Sequence, residues 1–417
     1  SSGIQVRVML DRKKRKQEGK MRIINRKVFG LLGAMVITLS AGAQDVYTDV
    51  LKDVEEGSTM LRALHEQMMA RQAGNHVGLT PSDPEVEFGY LWSRPAAGGN
   101  RKDVSLTQQF DFPTAYVERS RLAGAQDQAY HLDYLQQRQQ ILLQAKQTCV
   151  ELIYQNALHR LYSQQTEWAR QTADACRSML DQGETNRLDY NKAILNLTEM
   201  ESQTRETDVT RKQLVVSLSA LAGGRQIALD TCDYPALPAL PEDFDLWYTQ
   251  NTASNPVLQY QSAQLEASQR KVKVTRAEAL PKLSVGYVGE LVASQKYNGV
   301  MVGMSIPLWE NKGKVRQARA EANVALLEAT NVRTQLYTQL RGLYEQALQQ
   351  QRSIQQMEAA LSEGADEDLL RRAYEAGEIT LLTYLQENTY CLSVRARYLE
   401  ARRDLELTLA QLNSFSL

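Results

Sequence analysis

The residue types that most often carry chemistry are sparse in this chain. Its four histidines, at 65, 76, 131 and 159, lack the two- or three-residue partner spacing of a metal site. Four cysteines, at 149, 176, 232 and 391, show none of the paired short spacings of zinc or redox motifs and read as small core residues. Met68 with Met69 and Met301 with Met304 invite soft-metal contacts, but such residues more often pack in a core or on a lipid face. No G-x-S-x-G element, P-loop or dinucleotide fingerprint occurs. No cofactor, no metal and no enzyme activity are therefore expected. With 48 Lys plus Arg against 49 Asp plus Glu, the chain has no net attraction for phosphate backbones, so nucleic acid is not an expected partner.

The suggestive charges are acids beside two Gly-Glu pairs: Asp181, Glu184, Asp189, Glu378 and Glu387. Carboxylate rings at a pore favour cations. Acids just after a helix break also complement the next helix's N-terminus, and at this level both readings stand.

The elements that must position these residues are mostly helical. From Thr114 to about Gln182 there is no proline, and apolar residues recur at threes and fours through Tyr134, Leu142, Ala145, Cys149, Leu152 and Leu161. A second such stretch runs through Ala318, Ala322, Leu326, Val332, Leu336 and Leu343. That spacing keeps one narrow stripe against a partner helix, and each stretch predicts a helix on the order of 90 to 100 Å at about 1.5 Å per residue.

Two segments alternate instead. Val86, Phe88, Tyr90 and Trp92 oppose Glu85, Glu87 and Gly89, and Val104, Leu106, Phe110 and Phe112 oppose Ser105, Thr107, Gln109 and Asp111, across the Pro/Gly-rich loop 94–100. The same grammar returns with Leu283, Val285, Tyr287 and Leu291, then Val300, Val302, Met304 and Ile306. Each reads as a hairpin with one apolar and one polar face. A sheet half-buried on a soluble core and a transmembrane barrel both show this.

A repeat separates them. Pro113 and Pro307, Gly183 and Gly377, Glu184 and Glu378, Leu188 and Leu382, and Tyr190 and Tyr384 are each 194 positions apart, while Pro84 and Pro281, Gly89 and Gly286, and Tyr90 and Tyr287 are 197 apart. The chain is thus a duplicated unit supplying two strands per repeat. Four strands are too few to close a barrel, for which about eight is the minimum, so strands entering lipid must be completed by other copies.

The predicted layout is an upstream extension 1–20 outside the fold and a signal peptide 21–43, with a basic region, an apolar run and Ser40-Ala41-Gly42-Ala43. The first repeat, 44–224, comprises a helix, a hairpin 84–112, a long helix 114–182 and a helix 184–222. A Pro-rich connector, 225–250, leads to the second repeat, 251–417, with helix 254–279, hairpin 281–307, long helix 314–376 and helix 378–415.

The sequence resembles the TolC-type outer membrane efflux proteins, the outer membrane factors of tripartite pumps. The resemblance is carried by Asn255-Pro256, Ala277-Glu278-Ala279-Leu280-Pro281-Lys282-Leu283, Ile306-Pro307-Leu308-Trp309-Glu310-Asn311-Lys312-Gly313, and Tyr374-Glu375-Ala376-Gly377-Glu378 with Leu381-Leu382 and Tyr384-Leu385. It implies a mainly α fold with a β-barrel part: a homotrimer with a twelve-stranded transmembrane barrel and a periplasmic tunnel of antiparallel coiled-coil helices. It also implies the outer membrane of a Gram-negative bacterium, a periplasmic adaptor, an RND or ABC inner-membrane pump and surrounding outer-membrane lipid. The activity it implies is passive export through a tripartite efflux or type I secretion system. A periplasmic coiled-coil adaptor or scaffold without a barrel is the alternative.

Within that frame the periplasmic aperture candidates are Asp189, Leu382, Thr383, Tyr384, Gln386 and Glu387. Constriction aspartates of some members would fall at Thr383 and Gln386, which carry no charge, so closure by Leu382 and Tyr384 is as well supported. The adaptor-contact candidates are Asp181, Gly183, Glu184, Glu375, Gly377 and Glu378. Pro113, Pro307 and Trp309 mark strand-to-helix transitions, and Phe88, Tyr90, Trp92, Phe110, Phe112 and Tyr287 a lipid-facing girdle.

Overall fold

Helix ends are set by capping residues, and the caps repeat with the sequence. The computed structural model describes residues 46–92, 99–292, 295–307, 309, 311–364 and 367–417. The predicted extension 1–20 and signal peptide 21–43 lie outside the described residues, as do 93–98 of the first hairpin loop, Leu308 and Glu310. Val50–Leu417 forms one compact unit, distinct from the residues up to Asp49.

In chain order the elements are α1 Thr48–Gly57, α2 Thr59–Asn75, β1 Glu85–Leu91, β2 Arg101–Phe110, α3 Pro113–Gln182 and α4 Arg187–Leu221, then α5 Phe244–Thr252, α6 Pro256–Glu278, β3 Lys282–Val292, β4 Gln295–Ser305, α7 Lys314–Gly364, α8 Glu367–Glu375 and α9 Leu381–Leu412. Ser58 caps α2 by accepting from the Leu61 N–H, and Asn255, 197 positions later, caps α6 by accepting from the Val257 N–H. Asn186 caps α4 through Asp189 N–H, and Thr380, 194 positions later, caps α9 through Thr383 N–H. Such side-chain caps satisfy the orphan amides of a first turn. They place the repeat in the backbone as well as in residue identities.

Both long helices behave as coiled-coil partners. α3 spans 70 residues, about 105 Å at 1.5 Å per residue. Its buried stripe is rich in small residues, among them Ala123, Ala129, Ala145, Ala157, Ala169 and Ala173, so neighbouring helices approach closely. The core is a line of small clusters along the helix seams, such as Ala347, Ile354, Leu405 and Leu409, and Phe244, Leu340, Tyr344 and Leu412. Buried polar pairs punctuate the seam: Asn388 donates to Gln165 at 2.9 Å, and the Thr166 and Thr204 hydroxyls meet at 2.9 Å.

Several boundaries differ from expectation. The long helix expected over 314–376 is two elements, α7 ending at Gly364 and α8 starting at Glu367. The helices expected at 184–222 and 378–415 start later, at Arg187 and Leu381, because a glycine turn and a cap occupy the intervening residues. Phe112 is not in a strand but caps α3, whose first residue is Pro113. Its repeat mate Pro307 begins no helix: of the described residues before α7, Trp309 lies in a bend and 311–313 in a turn that ends on Gly313 at φ +88°. Of the four cysteines, Cys149 and Cys176 are buried, whereas Cys232 and Cys391 are half-buried; none is joined in a disulfide.

The connector runs without regular structure as far as α5 and is tied down by its backbone. Asn156 donates to the Leu229 and Thr231 carbonyls at 2.9 Å, Tyr234 O–H to Val150 O at 2.8 Å, Arg402 to Pro235 O at 2.7 Å and Tyr344 O–H to Pro241 O at 2.7 Å. Phe244, 2 % exposed, then plugs α5 onto α7 among Trp247, Tyr248, Tyr337 and Tyr344.

Candidate functional site

The four strands form a single antiparallel sheet in the order β1-β2-β3-β4. The register Phe88↔Val104, Leu106↔Tyr287 and Tyr287↔Val300 aligns Val86, Phe88, Val104, Leu106, Val285, Tyr287, Val300 and Val302 on one face, while Val288, Tyr297 and Met301 fall on the other. The first face is bare: Phe88 is 69 % exposed, Val300 75 % and Val302 79 %. A soluble protein hides such a surface, since burying an apolar side chain gains about 1.5–3 kcal/mol. The opposite face carries Glu87, Ser105, Thr107, Ser284 and Glu290, with Arg101 bridging Asp103 at 2.8 Å and Glu290 at 2.9 Å. Among the described residues, β1 and β4 each pair on one side only. Of the girdle candidates, Phe88, Tyr90, Phe110 and Tyr287 lie on the apolar face by this register, Trp92 follows β1 and Phe112 precedes α3.

Where sheet meets helices, one arginine gathers both repeats. Arg119 of α3 contacts Asp111 at 2.7 Å and Glu278, at the end of α6, at 2.8 Å. Lys282 approaches Asp111 at 3.9 Å, the Asp111 N–H donates to the Tyr116 hydroxyl at 2.9 Å, and Asn311 donates to Glu278 O at 3.2 Å. Sequence reasoning missed this clasp, because Arg119 and Glu278 are 159 positions apart and no local pattern pairs them.

At the far end two turns are built alike. Gly183 (φ +77°) donates to Leu180 O while Glu184 N–H reaches Met179 O; Gly377 (φ +74°) donates to Tyr374 O while Glu378 N–H reaches Ala373 O. This double bond pattern closes a helix through a left-handed residue, which glycine adopts without cost. Asp181, Gly183, Glu184, Glu375, Gly377 and Glu378 are all exposed around these turns. The acid in the first turn of α4 is Asp189, which accepts from Asn186 at 2.9 Å and pairs with Lys192 at 3.3 Å.

Just behind the turns the aperture candidates divide. Leu382, Thr383, Gln386 and Glu387 are exposed, and the repeat-related Leu188 is 64 % exposed. Tyr384 differs from expectation: it is 4 % exposed and stacks on Tyr374 with ring centroids 4.9 Å apart. Its ring joins Ala173, Cys176, Ala193 and Leu381 in a packed cluster, so it cements the tip. The Cys176 sulfur lies 3.7 Å from the Tyr374 hydroxyl, and burial pushes that hydroxyl's pKa above its ordinary range. No cluster of three metal-ligating side chains occurs among the described residues, nor does any helix there have the length and apolarity to cross a membrane.

The comparisons agree with this geometry. Residues 247–415 match the model for outer membrane efflux proteins. That stretch holds α6 to α9, hence the second hairpin, the second turn and the aperture candidates after it. The whole fold is similar to the outer-membrane channel OprN, with a TM-score of 0.74, 15 % identity and 89 % of each chain covered. It is also similar to the Campylobacter jejuni CmeC outer membrane channel (TM-score 0.73, 15 % identity, 92 % of this chain and 90 % of that one). The outer membrane protein VceC of Vibrio cholerae gives 0.72 at 13 % identity, over 88 % of this chain and 95 % of that one. No curated protein matches the chain by sequence.

Proposed function

We propose that three copies of this chain form an outer-membrane export duct. The observation that carries this is the four-stranded sheet with a bare apolar face and two unpaired edges. An open edge is intolerable in hydrocarbon; pairing β1 of one copy with β4 of the next satisfies both edges. Three copies would give a twelve-stranded barrel with the apolar face to lipid and the polar face to the lumen. The strands of β2 to β4, 10 or 11 residues long, match the 9–11 that a tilted transmembrane strand needs.

The long helices then continue the lumen into the periplasm as a tunnel. The exposed Gly-Glu turns form its tip, which a periplasmic adaptor grips while an RND or ABC pump supplies the energy. Leu382, with Thr383, Gln386 and Glu387, lines the aperture together with Leu188 and Asp189. Export is passive, since nothing in the duct needs to do work.

The test is fractionation of the full chain with heat-modifiability in detergent. A trimer in outer-membrane fractions that shifts on boiling is expected. A monomer stable in plain buffer, with both hairpins folded onto its own helices, would overturn the reading in favour of a periplasmic scaffold.

A further inference from the structure

The two strand-to-helix exits serve as controls for one another. In the first, helix follows strand directly and the cations are paired within the chain: Arg119 with Asp111 and Glu278, Arg121 with Glu118 at 2.6 Å. In the second, residues 306–319 carry Lys312, Lys314, Arg316 and Arg319 against Glu310 alone. These four are exposed, as are Lys273 and Arg276 on α6, the helix packed against α7, and none has an ion partner among the described residues. The first repeat has Glu118, Ser120, Leu122 and Ala125 where the second has the four cations, so the fold does not require them. Lys314 and Arg316 sit in the first turn of α7, where cations oppose the helix dipole. Among the described residues, then, these cations have no counter-charge, and two of them oppose the dipole of their own helix.

What lies next to that charge identifies a partner. Ile306 continues the alternation of Val300, Val302 and Met304, and is 64 % exposed; Trp309, three residues on, is 79 % exposed. The Lys312 N–H donates to Trp309 O at 3.1 Å, holding tryptophan and lysine on one turn. Apolar strand, tryptophan and cations in that order are the sequence of environments across a bilayer's hydrocarbon edge into its headgroups. We infer that this second exit is a docking surface for anionic phospholipid headgroups of the inner leaflet of the outer membrane. The inference rests on the barrel reading above, because only a sheet in lipid puts Trp309 and Lys312 at headgroup depth.

The experiment uses the full chain, purified in detergent and mixed with vesicles of phosphatidylcholine, with or without about one third phosphatidylglycerol, the mole fraction being a choice that gives a strong surface potential. Flotation and heat-modifiability read incorporation. Phosphatidylglycerol should raise incorporation, and raised salt should erase the gain. The K312Q/K314Q/R316Q/R319Q variant should lose the gain yet incorporate normally into neutral vesicles; each cation near an anionic surface is worth about fivefold. The double variant K312Q/K314Q, with less change to α7, should lose part of it. An equal phosphatidylglycerol gain in wild type and both variants would overturn the inference while leaving the barrel intact, as would no gain in wild type. Full suppression by millimolar glycerol phosphate would mark a site for free anions and overturn it too. Failure of the wild type to enter any vesicle would instead sink the barrel reading, and this inference with it.

Discussion

Gly183 and Gly377 offer a clean separation of folding from docking. Both have positive φ, and a Cβ added at either would meet nothing within 4 Å in the chain. Alanine there suffers only the left-handed backbone penalty of about 1–2 kcal/mol, with no steric clash. Gly313, at φ +88° and equally open, lies at the other end of the helices and carries the same penalty without belonging to the tip. The three substitutions G183A, G377A and G313A should therefore lower folding stability alike, by about 1 kcal/mol each, a few-fold in unfolding equilibrium. If the turns meet a neighbouring adaptor, G183A and G377A should also weaken in-cell cross-linking to the cognate adaptor and lower export by tenfold or more, while G313A at matched abundance should export normally. Equal export by all three variants would refute the assignment of the turns as the docking tip.

Arg119→Met removes two charge-assisted contacts of a guanidinium that is 24 % exposed, so after discounting for solvent the expected loss is about 2 kcal/mol; a double-mutant cycle with Asp111→Asn should recover coupling, and full additivity would count against the clasp. Tyr154, stacked under Arg403 at 4.5 Å, has its pKa pushed up to about 12, mainly by burial. Its neutral form is favoured by folding, so this stability is complete below the ordinary tyrosine value near 10 and is lost as pH rises from about 10 to 12. Tyr154→Phe should flatten the alkaline part of the protein's thermal-stability profile, and an unchanged profile would place the loss elsewhere. A Cβ on Gly57 would collide with the Ala222 carbonyl, and one on Gly223 with the Gly57 carbonyl. Alanine at either should thus cost well over the 1 kcal/mol expected at Gly313, read by the same melting assay.

Local rules made much of this protein legible from its residues. A period near 3.6 gave the helices, a period of two gave the strands, and Gly183, Gly377, Pro113 and Asn255 marked ends because turns, caps and prolines act over three or four residues. The repeat likewise followed from offsets along the chain. Whether an exposed-looking side chain near the tip faces a lumen or a neighbouring helix is not local. Tyr384 was buried by Tyr374 and Cys176, the latter some 200 positions away, and Arg119 found Glu278 only because α3 and α6 lie side by side. The pairing of β2 with β3, which joins two separate hairpins into one sheet, was decided the same way. Those outcomes depend on which distant surfaces bury each other, and that free energy exists only once the chain has folded.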